Sequence, residues 1–82
     1  MYRIVTENKN VDAIKKLLGS FGLDYTMYYC EGSWRLQSES SVVIELERTS
    51  EDIAEMVAES IKETNDQESV LLQNMPVTSR LV

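Results

Sequence analysis

The sequence is short of the residues on which many catalytic and metal-binding domains depend. It has no histidine, one cysteine and one tryptophan, and its 14 acidic residues outnumber 8 basic ones. Without histidine, the usual zinc sites and all histidine-based catalysis are excluded, and one cysteine cannot form an internal disulfide. The net charge of −6 argues against binding to long nucleic acids, because that requires a basic face that neutralises several phosphates.

Long apolar runs are missing as well. No run approaches the roughly 20 residues that cross a bilayer, and the first residues lack the basic-then-apolar order of a signal peptide. We therefore expect a cytoplasmic protein without a membrane partner. The 82 residues predict a single domain, residues 1–82. A chain of this size buries little more than about 60% of its unfolded surface, so oligomerisation is a natural way to bury more.

The first half of the chain changes from a strand pattern to a helix pattern and back. Residues 2–6 are β-branched and aromatic and predict a strand, and Asn10 is a candidate helix N-cap. The apolar positions that follow recur at helical spacing: Val11, Ile14, Leu17, Leu18 and Phe21. Gly19 and Gly22 predict the end of this helix. Residues 24–31 predict a second strand, which the following glycine and serine interrupt.

The second half repeats this order. Residues 41–47 alternate as a strand with one apolar face. Thr49 and Ser50 open a second helix, and Thr49 with Asp52 has the spacing of a capping box. The predicted buried stripe of that helix consists of Ile53, Met56, Val57, Ser60 and Ile61. Residues 70–73 predict a last strand, and residues 78–82 form either a short extra strand or a tail.

The predicted order of elements is therefore β-α-β-β-α-β. This order is typical of an α+β fold of the ferredoxin-like plait type, a four-stranded antiparallel sheet with both helices on one face. The other face stays uncovered, yet Tyr28, Cys30 and Val43 fall on it, with Arg3 and Val5 on or near it. An uncovered apolar sheet face in so small a protein indicates a partner, and we expect a homo-oligomer.

Trp34 is the residue that most clearly indicates a site. It stands in a polar, turn-prone segment between two strand-like runs, where so large an aromatic side chain is costly to leave in water. Arg35 follows it, and we expect the loop that contains Lys9 to approach the end of the third strand, where Arg48 lies. Arg35 is then a candidate anion ligand with Trp34 as a stacking face. Alternatively, Trp34 packs against a neighbouring subunit and Arg35 forms an ion pair there. The two roles, ligand binding and subunit contact, are compatible if the ligand lies at the boundary between subunits.

One group of carboxylates has a regular spacing on the second helix. Its members are Glu51, Glu55, Glu59 and Glu63. This ridge is either a surface for a cation or a basic partner or a solvated outer face. A metal site requires ligands that converge from a loop, whereas these residues form a line.

No set of residues predicts catalysis. Four further glutamates lie in or near the strand patterns: Glu31, Glu39, Glu45 and Glu47. They could pair as in glycosidases, but no substrate cleft is evident. Cys30 has no histidine to activate it, and the glycines lack the spacing of a phosphate-binding loop. We therefore expect no enzymatic activity, no metal and no cofactor.

The order of these features resembles the PII/CutA superfamily of small trimeric proteins. CutA-like sequences have a tryptophan in the long hairpin between the second and third strands, then a glutamate, an apolar strand, a helix and a final strand. The matching positions here are Trp34, Glu39, residues 42–44, residues 51–64 and residues 65–72. The pattern from Glu31 to Glu45 is also similar to that of small uncharacterised phage and plasmid proteins of this plait type.

The resemblance implies a trimer whose sheets face inward, with clefts between subunits that bind nucleotides or related small anions. The candidate ligand-binding residues are Trp34, Arg35, Lys9, Arg48 and Glu39. Leu36 replaces the glycine that usually follows the tryptophan two positions later, so the hairpin bend is expected to differ. The long signalling loop of PII proteins is absent, as is the histidine of the metal contacts attributed to CutA.

Two functional hypotheses follow. The first is a non-enzymatic homo-oligomer that binds a small anionic molecule such as a nucleotide, and that in a phage sequesters a host nucleotide signal. The second is a protein–protein interaction module that engages a host protein through the Trp34 hairpin or the acidic second helix. A third hypothesis is a small hydrolase that loses activity in Glu39→Gln, but we expect the wild type to have no such activity.

Overall fold

The computed structural model contains two helices and a four-stranded antiparallel sheet. It describes residues 1–34, 36–77 and 80–82, and for Trp34 the backbone alone. The elements in chain order are β1 (Tyr2–Glu7), α1 (Val11–Ser20), β2 (Tyr25–Trp34), β3 (Gln37–Leu46), α2 (Glu51–Thr64) and β4 (Leu71–Asn74). The predicted α+β class and the order of the elements are confirmed.

The strands lie in the order β2-β3-β1-β4, and every neighbouring pair is antiparallel. At one end of the sheet, Glu7 of β1 lies opposite Ser41 of β3, and at the other end Tyr2 lies opposite Leu46. The loop after β1 and the β2–β3 hairpin are therefore at the same end. The end of β3 and the end of β4 are at the opposite one.

Both helices pack on one face of the sheet. Successive residues of a strand point to opposite faces, so alternate residues of β1 and β3 meet the helices. The core consists of Ile4, Val42, Ile44 and Leu46 from the strands, Ile14 and Leu18 from α1, and Ala54, Val57, Ala58 and Ile61 from α2. The predicted stripe of the second helix is wrong at Met56, which is 54% exposed. The small side chains of Ala54 and Ala58 take its place in the core.

The β2–β3 hairpin is longer than the sequence pattern predicts. The expected break at Gly32 is absent, because β2 continues to Trp34, and β3 begins at Gln37 rather than at residue 41. Strand pairing depends on backbone N–H and C=O groups, which glycine and serine supply as other residues do. The part of the hairpin beyond β1, residues 31–40, is called the ribbon below. Its described side chains are exposed.

The first helix follows Asn10 and ends before Gly22, as the sequence predicts, but the side chain of Asn10 does not cap it. Gly22 has φ 66 and follows the helix, and the N–H of Leu23 donates to the carbonyl oxygen of Leu18 at 3.3 Å, which is the Schellman arrangement. At the start, Asn10 makes no side-chain cap. Its backbone is left-handed, with φ 55, and its side-chain amide donates instead to the carboxamide oxygen of Asn65.

The second helix is capped by a different residue from the one predicted. The Oγ of Ser50 accepts a hydrogen bond from the N–H of Ile53 at 3.3 Å, so the predicted capping box of Thr49 with Asp52 is wrong. The reason is the backbone of Ser50, which is extended (φ −84, ψ 161), whereas helical geometry begins at the next residue. Ser50 is thus the last side chain before the free N–H groups of the first turn.

The last strand covers Leu71–Asn74, one residue later than predicted. Of the segment 78–82, which the sequence assigns to an extra strand or a tail, residues 78 and 79 lie outside the described residues. Residues 80–82 form neither a helix nor a strand.

Candidate functional site

The ribbon carries the main candidate site. Its paired residues, from Glu31 opposite Ser40 to Trp34 opposite Gln37, have no third strand beside them in the described part of the chain, because β1 ends opposite Ser41. At the base of the ribbon, Ser40 is hydrogen-bonded to Asn8. A two-stranded ribbon without further packing is only marginally stable in water. The side chain of Trp34 and all of Arg35 lie outside the described residues. Their contact with a ligand or with a neighbouring subunit therefore stays a prediction.

Lys9 and Glu39 come together at the base of the ribbon. They line a cavity of ≈ 420 Å³ together with Glu7 and two neutral side chains. The Nζ of Lys9 donates a hydrogen bond to the carbonyl oxygen of Asn65 at 2.6 Å. Two carboxylates outnumber the one ammonium group, which is already bonded, so the cavity carries a net negative charge. Lys9 and Glu39 alone do not form an anion site.

Arg48 lies at the opposite end of the sheet. The expectation that the loop of Lys9 approaches the end of the third strand is wrong, because β1 and β3 are antiparallel. Glu7, just before that loop, lies opposite Ser41, whereas Arg48 follows the end of β3 that lies opposite Tyr2. The length of β1, about 17–20 Å, separates the two ends. Within one chain, Lys9 and Arg48 cannot contact the same small ligand.

The uncovered face of the sheet carries an apolar row that crosses all four strands. The register pairs Tyr28 with Val43, Val43 with Val5, and Val5 with Leu71. Val43 is buried by its neighbours on the sheet, but Tyr28 and Leu71 at the two ends of the row are 39% and 53% exposed. Cys30 is half-buried on the same face. The predicted position of these side chains on the face without helices is confirmed.

A charged cluster lies beside the apolar row. The Nη2 of Arg3 donates to the Oε2 of Glu45 at 2.8 Å, and the hydroxyl of Tyr28 donates to the same oxygen at 3.2 Å. The hydrogen bond to Glu45 raises the pKa of Arg3. Partial burial raises the pKa of the Tyr28 hydroxyl, and its bond to the Glu45 carboxylate raises it further. Sequence alternation placed Arg3 near this face, but the contact with Glu45 depends on the strand register.

A buried polar network joins the loop after β1 to the end of α2. Asn65 is fully buried, and its Nδ2 donates to the Oε1 of Gln67 at 2.8 Å and to the Oγ1 of Thr6 at 3.4 Å. Its Oδ1 accepts from the Nδ2 of Asn10 at 3.2 Å, and the Thr6 hydroxyl donates to Gln67. In the described part of the chain, no buried side-chain polar atom lacks a partner. The buried polar atoms of this network are bonded to one another, so the network contributes to holding the fold.

Among the described residues the glutamates form no metal site, and Glu39 lies too far from Glu45 for these two to pair as in a glycosidase. The four glutamates of the α2 ridge are exposed. Among the described residues, no group of three candidate ligands could hold a metal ion. Glu39 and Glu45 lie six positions apart on one strand, about 20 Å, whereas paired glycosidase carboxylates lie about 5–9.5 Å apart.

No helix in the described ranges is long and apolar enough to span a bilayer.

The chain matches no protein-family model, and no curated protein matches it. Neither comparison therefore bears on the resemblance to the PII/CutA superfamily, which stays a prediction.

Proposed function

We propose that the chain is a non-enzymatic protein that assembles into a homo-oligomer through the uncovered face of its sheet and binds a small anionic molecule, such as a nucleotide, between subunits. The observation that carries self-association is the apolar row from Tyr28 to Leu71, against which no described helix packs. Burial of such a row is favourable because it removes apolar surface from water. An 82-residue chain with a thin core gains proportionally more from it than a large one.

A second copy of the chain is the partner that fits this face. Arg3 and Glu45 lie side by side next to the apolar row, so the face presents both charges. Symmetric association can bring the Arg3 of one subunit close to the Glu45 of another while the apolar rows meet. A trimer is the state that the resemblance implies.

A ferredoxin-like plait of the PII/CutA type is part of the same proposal. Counted from the β4 edge, the strand order is β4-β1-β3-β2. β3 thus lies between β1 and β2, and β1 lies between β3 and β4, as two split βαβ units require. The packing of both helices on one face also supports this assignment.

The ligand would lie at the boundary between subunits, near Trp34 and Arg35. Lys9 and Glu39 are close to the base of the ribbon and can contribute to such a cleft. Arg48 is at the far end of its own sheet, so it can join that cleft only from a neighbouring subunit. We expect binding without turnover.

Analytical ultracentrifugation of Leu71→Glu and Met56→Glu tests the interface. The two positions are matched, at 53% and 54% exposed, but Leu71 lies on the uncovered face and Met56 on the outer side of α2. We expect the wild type and Met56→Glu to sediment at about three times the 9.4 kDa of the chain, and Leu71→Glu to dissociate. A wild type that sediments as 9.4 kDa throughout the micromolar range overturns the oligomer.

Fluorescence titration tests the ligand. Trp34 is the only tryptophan, so its emission reports directly on the hairpin tip. We expect at least one member of a nucleotide panel to change that emission saturably, and Arg35→Ala to weaken the effect by about tenfold or more. If no nucleotide binds, or if Arg35→Ala binds as the wild type does, the ligand part of the proposal is wrong.

A protein-interaction module is the second candidate function. The observation that favours it is the ribbon, which is exposed and extends past the other strands. If the chain acts in this way through the Trp34 hairpin, we expect the wild type to retain one defined host protein in a pulldown and the Trp34→Ala variant not to retain that protein. If instead charge reversal at Glu55 and Glu59 abolishes retention, the acidic helix is the contact surface.

A further inference from the structure

A cavity of ≈ 550 Å³ lies at the end of the sheet opposite the ribbon. Its walls are formed by Asp24, Glu47, Arg48, Val77, Arg80 and Leu81. The N–H of Glu47 donates to the carbonyl oxygen of Asp24 at 3.3 Å, which joins β2 and β3 at this end. The N–H of Met75, the first residue after β4, donates to the carbonyl oxygen of Met1 at 2.8 Å and so holds this point of the chain beside the start of β1. Small organic ligands occupy cavities of about this size.

Two arginines line this cavity, and neither forms an ion pair with a described residue. Among the described residues, the one ion pair is on the uncovered face of the sheet, so Arg48 and Arg80 each lack a carboxylate within ion-pair distance. Both arginines are unpaired in this way although Asp24 and Glu47 line the same cavity. A guanidinium group presents parallel N–H donors that match a carboxylate or a phosphate. The cavity therefore offers two unused anion-binding groups.

The backbone of Arg48 is a second indication. Its φ of 54 lies in the left-handed region, which is sterically disfavoured for a residue with a Cβ atom and is common for glycine and asparagine. An arginine at such a position indicates a use for its side chain, since outliers of this kind concentrate at binding sites. Arg48 belongs to the set that the sequence predicts as ligand-binding, whereas Arg80 is additional.

The remaining lining residues restrict the class of ligand. Val77 and Leu81 are 51% and 93% exposed, so they offer apolar surface that a ligand could cover. Asp24 and Glu47 balance the charge of the two arginines, which disfavours a ligand with several negative charges, such as a triphosphate. We propose that this cavity binds a small organic anion with one carboxylate or phosphate group on an apolar body. The anionic group contacts Arg48 and Arg80, and the apolar body contacts Val77 and Leu81.

This cavity shares Arg48 with the residues proposed for the intersubunit cleft, but not the ribbon on which that cleft is centred. It lies at the other end of the sheet and takes a different class of ligand, so either proposal can fail without the other. Binding here does not require a second copy of the chain.

NMR titration of the full chain, labelled with ¹⁵N, tests the proposal with phenyl phosphate and benzoate as probes. We expect saturable shifts of the backbone signals of residues 47, 48, 77 and 81, with a dissociation constant of about 1 mM or tighter for at least one probe. Inorganic phosphate lacks the apolar body and benzyl alcohol lacks the charge. Each should bind about tenfold more weakly. Shifts that do not saturate at about 10 mM for either probe overturn the site.

Matched variants assign the binding to the arginines. Arg48→Asn keeps a residue that tolerates the left-handed backbone, Arg80→Gln removes the second charge, and Lys16→Gln removes an exposed cation on α1 away from the cavity. We expect each arginine variant to lose about tenfold in affinity and Lys16→Gln to bind as the wild type does. Equal weakening in all three variants, or none in the two arginine variants, contradicts the proposal. The spectrum of each free variant checks that it is folded.

Discussion

Asn65→Ala is the most direct test of how the buried polar network contributes to stability. The Asn65 side chain is fully buried, and its two shorter hydrogen bonds join it to Gln67 at 2.8 Å and to Asn10 at 3.2 Å. Each is worth about 1 kcal/mol net. The 3.4 Å contact with Thr6 is long for a hydrogen bond and contributes less. With the unfilled space left by the truncation, we expect a loss of about 2–3 kcal/mol in the free energy of unfolding.

This loss is large for a domain of 82 residues. Domains typically unfold with about 5–15 kcal/mol, and small ones lie near the low end of that range. A loss of 2–3 kcal/mol should lower Tm by about 10–20 °C. The variant is therefore expected to fold at room temperature but to unfold at clearly lower urea concentration.

Urea unfolding followed by circular dichroism measures the effect. Asn8→Ala is the matched control, because it makes the same truncation but removes only the exposed bond from Asn8 Nδ2 to Ser40 Oγ at 3.0 Å. We expect it to cost less than about 1 kcal/mol. All variants are compared at equal concentrations, since self-association adds to apparent stability. If Asn65→Ala and Asn8→Ala agree within about 0.5 kcal/mol, the reasoning is refuted.

Asn65→Asp separates hydrogen bonding from volume. Aspartate has nearly the same shape, but when ionised it cannot donate to the Oε1 of Gln67. It also buries a charge, so we expect at least the loss seen for alanine. An aspartate variant as stable as the wild type would show that the donated bond is unimportant.

Three further measurements address local features of the fold. Ser50→Ala should cost about 1 kcal/mol of unfolding free energy because it removes the α2 cap, whereas Thr49→Ala should be nearly neutral; the reverse order contradicts the assignment of the cap. Gly22→Ala should cost about 1 kcal/mol at φ 66, and Asp66→Gly, at φ 51, should gain about 0.5 kcal/mol; equal effects would show that the left-handed backbone does not set these costs. The raised pKa of Tyr28 means that its phenol is harder to ionise in the folded chain than in the unfolded one. Its stabilisation is therefore complete below pH 10 and is lost as the pH rises above it; Tyr28→Phe should weaken that pH dependence, and an unchanged slope argues against the contact.

The positions of the strands and helices were predictable because they depend on local periodicity. Apolar residues at spacings of three and four identified α1, and alternation identified the central part of β3. The errors arose where local signals were ambiguous. Met56 has an apolar side chain but lies outside the core, because the inward stripe of α2 uses Ala54 and Ala58 to approach the sheet. Gly32 predicts an interruption of β2, but in the structure it is paired with Glu39 of β3 and lies within the strand.

The candidate site was less predictable because it depends on residues that are distant in the sequence. Arg48 is a candidate from the sequence, but the cavity that it shares with Arg80 and its separation from Lys9 depend on tertiary structure, the latter on the antiparallel pairing of β1 and β3. The contact of Arg3 with Glu45 depends on the same pairing. No local pattern contains this information.

The amino-acid sequence alone contains the order of the elements and the alternation that divides each strand between two faces. These follow from the identity of neighbouring residues and from the repeat of a strand or helix. The tertiary structure decided which strands are neighbours, that Tyr28, Val43, Val5 and Leu71 form one row, and that Asn65 joins the two halves of the chain. The physical reason is that register and packing arise from contacts between segments far apart in the chain, for which local periodicity carries no signal.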